Sequence, residues 1–154
     1  MEKSEPKRGL SKWKATLLAS LIFAVMAQLV HGAGAYLTMS YYKDPGYFGV
    51  WSKLMMPKAG LPPPSFFAVA LVFAFLTGLA YTLGYRWVSG AFGGGRLRSG
   101  IAFAFFVFLV GIIPSMLALV LLVNVPVGLV CAWAVENLVI LLVGGVVIAV
   151  LKRS

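Results

Sequence analysis

The chain has 154 residues, 61% hydrophobic and 11% charged, with 13 Lys+Arg against four Asp+Glu and a formal charge of +9. A soluble domain carries about 25% charged and about 45–50% apolar residues, so a soluble globular enzyme and a disordered chain are both excluded. The basic residues sit in short segments beside apolar runs, where they act as topology signals and lipid-headgroup contacts and not as a nucleic-acid surface.

Four stretches contain no Lys, Arg or Asp: 15–39, 66–85, 101–123 and 127–151. Each reaches the ~20 residues that a helix needs to cross about 30 Å of hydrocarbon. Lipid offers the backbone no hydrogen-bond partners, and the sequence lacks the short alternating strands of a barrel. The expectation is an all-α polytopic membrane protein, a single domain of residues 1–154 forming a four-transmembrane-helix bundle.

The first run follows a basic tail of Lys3, Lys7, Arg8, Lys12 and Lys14. A cleavable signal sequence is the competing reading, with 15–30 as its apolar core and Ala33-Gly34-Ala35 as the A-x-A site. Apolar character continues to Met39, a length that favours a retained span. The connection 40–65 holds Tyr41, Tyr42, Tyr47 and Trp51, which suit an aromatic belt at the outer interface. Tyr47, Trp51, Leu54 and Met55 fall at helical spacing and predict a short helix on the membrane surface. Asp44-Pro45-Gly46 marks a turn, and Pro62-Pro63-Pro64 an extended lead into the second span. A passive interfacial cap is preferred here over a substrate gate.

The inner connection 86–100 contains Gly90, Gly93, Gly94 and Gly95. Gly95 is followed by Arg96-Leu97 instead of Lys-Ser/Thr, which is wrong for a phosphate-binding loop. A flexible turn is expected, with Arg86, Arg96 and Arg98 meeting anionic headgroups. Pro114 should kink the third span. Short connections predict that spans two and three, and three and four, are antiparallel neighbours. Small residues at helical spacing supply close packing in every span, and leucine at Gly78 or Gly111 should push helices apart. Cys131, the only cysteine, excludes an intrachain disulfide and is expected as a buried small apolar residue.

With both termini inside, ten Lys+Arg face the cytoplasm, and Lys43, Lys53 and Lys58 face out. The positive-inside rule selects that orientation, in the cell membrane. His31 and Glu136 are the strongly ionisable groups within the spans. At ~1.5 Å per residue, His31 lies about 12 Å and Glu136 about 13 Å from the outer ends of their runs. Gln28, Thr77, Ser115 and Asn137 fall at about 12–17 Å, a depth at which antiparallel packing could gather all six in one layer. An ionised carboxylate there costs at least ~2.5–3.5 kcal/mol, so Glu136 should face the bundle and be protonated or paired, with His31 its candidate partner.

Two functions fit this polar centre. The preferred one is a structural or assembly component whose centre locks helix packing. The alternative is a proton-linked carrier of a small molecule or lipid, using Glu136 and His31. Intramembrane catalysis ranks below both, since no Ser-His-Asp set and no second carboxylate accompany the pair. No metal site is expected, because ligand spacing is lacking, and no cofactor. The expected partner is the bilayer, with a homo-oligomer or a membrane-protein partner left open and nucleic acid excluded.

Gly32-Ala33-Gly34-Ala35-Tyr36, the tryptophan segment Trp51-Ser52-Lys53-Leu54 and the inner turn Gly93-Gly94-Gly95 give the chain a recognisable layout. In these it resembles small four-span prokaryotic integral membrane proteins of unknown function. It is also similar to the small multidrug exporters in joining four helices with one membrane-embedded Glu, here in the fourth span instead of the first.

Overall fold

The computed structural model describes residues 11–58 and 62–152, and among them there is no strand. Four helices are long and apolar enough to cross a membrane: Lys12–Leu37, Pro64–Ala91, Arg96–Leu122 and Val127–Leu151. The expected all-α four-helix bundle is what forms. The first three begin outside the apolar runs, at Lys12, Pro64 and Arg96: in the first and third, Lys and Arg are good helix formers whose stems lie along apolar surface, and in the second Pro64 suits a first helical position.

Ser11 caps helix α1 (Lys12–Leu37), accepting from the Lys14 N–H at 3.4 Å, and Thr38 ends it by donating its hydroxyl to the Gly34 carbonyl at 2.8 Å. The short helix of the following connection lies earlier than the spacing of its aromatics predicts. It is α2 (Met39–Lys43), followed by a 3-10 turn at Pro45–Val50. Trp51 is extended, and Ser52 accepts from the Met55 N–H at 3.2 Å, so a side-chain-closed turn replaces the expected helix through Trp51 and Met55. Pro63 is extended, as expected of a lead-in, and Pro64 starts α3 (Pro64–Val88).

The connection 86–100 is much shorter than the glycine pattern suggests. Helix α3 and a 3-10 turn carry the chain to Ala91, and α4 (Arg96–Val107) starts at once after Gly95. Gly94 and Gly95 have φ of 92° and 86°, a region that only glycine enters cheaply. The third span then widens into a π turn at Phe108–Ile112 before α5 (Ile113–Leu122). Pro114 has no N–H to offer the preceding turn, so the expected disruption takes this form. Helix α6 (Val127–Leu151) is continuous.

Neighbour order matches the sequence expectation for spans three and four, where α4 packs along α6, and departs from it for spans two and three. Helix α3 packs along α1, α1 along α6, and α6 along α4, while α3 and α4 do not run side by side. The reason is side-chain shape. Phe23 of α1 wedges between Gly78 of α3 and Gly144 of α6, and Gly100 of α4 meets Gly145 of α6 almost backbone to backbone. By contrast, Tyr81 and Tyr85 of α3 stack on Phe103 of α4 at 4.7 and 5.3 Å between centroids, and these rings hold the two helices apart. Thr16, Ser20 and Thr82 are buried at these contacts, each donating its hydroxyl to the carbonyl four residues back.

The two glycines singled out by sequence therefore behave differently. A Cβ at Gly78 would lie 3.0 Å from Phe23 Cβ and from the Ser20 carbonyl oxygen, whereas one at Gly111 would meet nothing within 4 Å. Gly78→Leu is expected to cost about 1–3 kcal/mol by overpacking, or roughly 2–10 °C of melting temperature. Gly111→Leu should melt close to the parent protein in the same detergent; an equal loss at both positions would contradict this packing. Cys131 is exposed, contrary to expectation: it lies on the outward side of α6, because in an apolar span the lipid-facing side chains are as hydrophobic as the core.

Candidate functional site

Glu136 of α6 is buried, 8% exposed, as expected for a carboxylate at this depth. His31 of α1 is its partner, with Nδ1 2.7 Å from Glu136 Oε2. With the carboxylate ionised, Nδ1–H donates and Nε2 stays free for another proton or ligand. Gly34, one helical turn after His31, makes the approach feasible: a Cβ there would stand 1.9 Å from Glu136 Oε1. The carboxylate thus lies directly on the backbone of α1. Gly34 was not assigned to the polar centre from sequence; its spacing of three residues from His31, on the same helical face, is the signal that could have found this cradle.

Beside the pair lies an aromatic group, of which Tyr42 and Trp51 were expected only at the interface and Trp133 was not singled out. Trp133, one turn before Glu136 on α6, donates its indole N–H to the Tyr42 hydroxyl at 2.9 Å. Tyr42 stacks on Trp51 at 5.0 Å, and Trp51 meets Trp133 edge-on at 6.3 Å. Burial pushes the Tyr42 phenol above its ordinary pKa and Glu136 adds to the rise, against the opposing hydrogen bond from Trp133. Tyr42 therefore stays neutral at physiological pH. The Trp51 indole N–H is buried and has no hydrogen-bond partner among the described residues.

Two cavities meet at His31. One, of about 790 Å³, fills the space between α3 and α4 and is lined by Gln28, His31, Thr77 and Asn137 among apolar side chains. The other, of about 1160 Å³, lies between α1 and α3 beside the 39–56 segment and reaches Glu136 and Lys43. Gln28 and His31 line both.

The six-residue polar layer expected from depth assembles only in part: Gln28, His31, Thr77 and Asn137 line the first cavity and Glu136 binds His31, while Ser115 lies outside both cavities. Thr77 and Ser115 are exposed and donate to their own helices, at the Phe73 and Gly111 carbonyls. Asn137 donates to the Trp133 carbonyl at 2.8 Å. Each satisfies itself locally, so nothing draws it to the pair. Gln28 faces the cavities beside His31 without joining the pair.

At the opposite end of the bundle, Arg86 donates from Nη2 to the Lys12 carbonyl at 2.9 Å, clamping the end of α3 to the start of α1. Arg98 folds over Gly94, and Arg96 is exposed at the start of α4. Lys152 donates to Ser89 and sits over the Tyr85 ring. No group of three His, Cys, Asp or Glu lies together among the described residues. No family model, curated protein or solved structure matches this chain.

Proposed function

We propose that the protein is a proton-linked membrane carrier of small lipophilic molecules, with His31 and Glu136 as its coupling pair and both termini in the cytoplasm. The observation that carries this reading is the place of His31, 45% exposed and standing where two cavities meet while bound to a buried carboxylate. A pair serving only to lock helices would be better served by a filled, dry centre. Here the imidazole can exchange protons with whatever occupies either cavity. The other titratable groups facing this region are Tyr42 and Lys43 from the 39–43 segment, Tyr36 of α1 on the larger cavity and Tyr81 of α3 on the smaller one.

The cytoplasmic assignment of the termini is supported by ten Lys+Arg on that side against three on the other. The assembly reading draws support from α5, none of whose residues is buried.

Proteoliposome flux separates the two readings. Dodecyltrimethylammonium and dodecyl phosphate, which cross lipid slowly, serve as radiolabelled probes under an imposed pH gradient. Wild type should accumulate one of them beyond protein-free vesicles, and Glu136→Gln should abolish the gradient-dependent part while folding normally. Unchanged gradient dependence in Glu136→Gln, or no uptake of either probe by wild type, would leave the assembly reading standing.

A further inference from the structure

The carrier reading leaves the ligand open, and the larger cavity narrows it. Besides the phenols of Tyr36 and Tyr42, three ionisable side chains reach this cavity: Lys43 at the end of α2, His31 and Glu136. They are not equally available. Glu136 has its Oε2 bound to His31 and its Oε1 laid against Gly34, and its side chain is only 10% exposed. The other described acid, Asp44, accepts from the Gly46 N–H at 2.8 Å and is not part of the cavity wall. His31 and Lys43 are both exposed. An incoming polar group therefore meets two basic nitrogens, with the carboxylate screened behind one of them.

The rest of the wall is apolar. Met39, Met55 and Met56 supply adaptable thioether chains, and Phe67, Leu71 and Leu29 continue the surface along α3 and α1. At about 1160 Å³ the cavity exceeds the ~300–1,000 Å³ usual for small-molecule sites, which suits a long chain more than a compact solute. Charge-assisted hydrogen bonds to an anion would be strong in such surroundings, whereas a cation would face the Lys43 charge with only neutral acceptors, the Gln28 amide and the Tyr36 and Tyr42 hydroxyls, openly placed on the wall.

Resting on the carrier reading of the His31–Glu136 pair, we propose that this cavity binds a single-chain amphiphilic anion. The ligand is an alkyl carboxylate or alkyl phosphate, its head held by Lys43 and His31 and its chain lying between α1 and α3. Glu136 then acts as the positioning residue that orients the imidazole.

Equilibrium binding tests this without any gradient. Tritiated dodecanoate is bound to the full-length chain in maltoside detergent and competed with dodecyl phosphate, dodecanol, dodecylamine, acetate and inorganic phosphate. Dodecyl phosphate should displace the label, with dodecanol and dodecylamine at least about tenfold weaker, a gap of about 1.4 kcal/mol. Acetate and inorganic phosphate should not displace it at millimolar concentration. Lys43→Gln and His31→Gln should each weaken binding about tenfold; Lys43 is exposed, so its variant carries the test if His31→Gln folds poorly.

Equal displacement by dodecylamine would overturn the anion assignment, and equal displacement by acetate or phosphate would overturn the role of the chain. Unchanged affinity in folded Lys43→Gln would place the site elsewhere. Anion binding without flux refutes the carrier reading alone, and uptake of dodecyltrimethylammonium without anion binding refutes this assignment alone.

Discussion

Gly145→Leu is expected to separate α4 from α6 and to be among the most damaging single substitutions in the chain. A Cβ at Gly145 would lie 2.4 Å from the Gly100 carbonyl oxygen and 3.3 Å from the Ala104 Cβ, and one at Gly100 would lie 2.4 Å from the Gly145 carbonyl oxygen. Both closest atoms are backbone, so no rotamer change relieves the clash and a helix has to move. Overpacking commonly costs about 1–3 kcal/mol, with larger values where the neighbours cannot yield. Movement of α4 would also pull Ser99 from its 2.9 Å hydrogen bond with Tyr85 and Phe103 from its stack on Tyr81. The expected loss is above ~3 kcal/mol, seen as aggregation or a collapsed melting transition in detergent. Gly145→Ala should fall between the two, and Gly32→Leu, with nothing within 4 Å, should melt like the parent. A Gly145→Leu protein with an unaltered transition would show that these helices do not meet there.

Gly34→Val is expected to disable the polar pair while leaving the bundle assembled. Its Cβ would stand 1.9 Å from Glu136 Oε1 and 2.2 Å from Cδ, so the carboxylate must leave its seat. Those atoms are the far end of a flexible side chain, which makes the response local and unlike that at Gly145. Interhelical hydrogen bonds of this kind are worth about 0.6–2 kcal/mol in membranes, too little to unfold the protein but enough to lose the pair. The chain has one histidine, so the imidazole nitrogen resonances of the untagged protein report directly on His31. Gly34→Val should shift them to the positions seen in Glu136→Gln, and gradient-dependent flux should fall to the level of that variant. Resonances matching wild type would mean that Gly34 is not the floor of the site.

The span count and the inward turn of Glu136 could be read from the residues alone, because lipid imposes both locally. A backbone without water must close its own hydrogen bonds over ~20 apolar residues, and a carboxylate must avoid acyl chains. The pairing of Glu136 with His31 was legible for the same reason, since His31 was the candidate base at that depth. The full polar layer was not, because depth says nothing of direction: Thr77 and Ser115 close their hydroxyls on their own helices, Thr77 at the wall of the first cavity and Ser115 outside both. Arg86 was read as a headgroup contact, and its bond to the Lys12 carbonyl depends on which helix lies beside it.

Which helix lies beside which was settled only in three dimensions. Apolar side chains in lipid gain little by choosing one helix over another, so a short connection does not by itself decide neighbours: spans three and four are adjacent, and spans two and three are not. Fit decides them: Phe23 enters the notch left by Gly78 and Gly144, Gly100 closes on Gly145, and the rings of Tyr81, Tyr85 and Phe103 keep α3 from α4. The space those rings leave open, and its meeting with a second cavity at His31, arise from shapes on four different helices and have no counterpart in any one stretch of sequence.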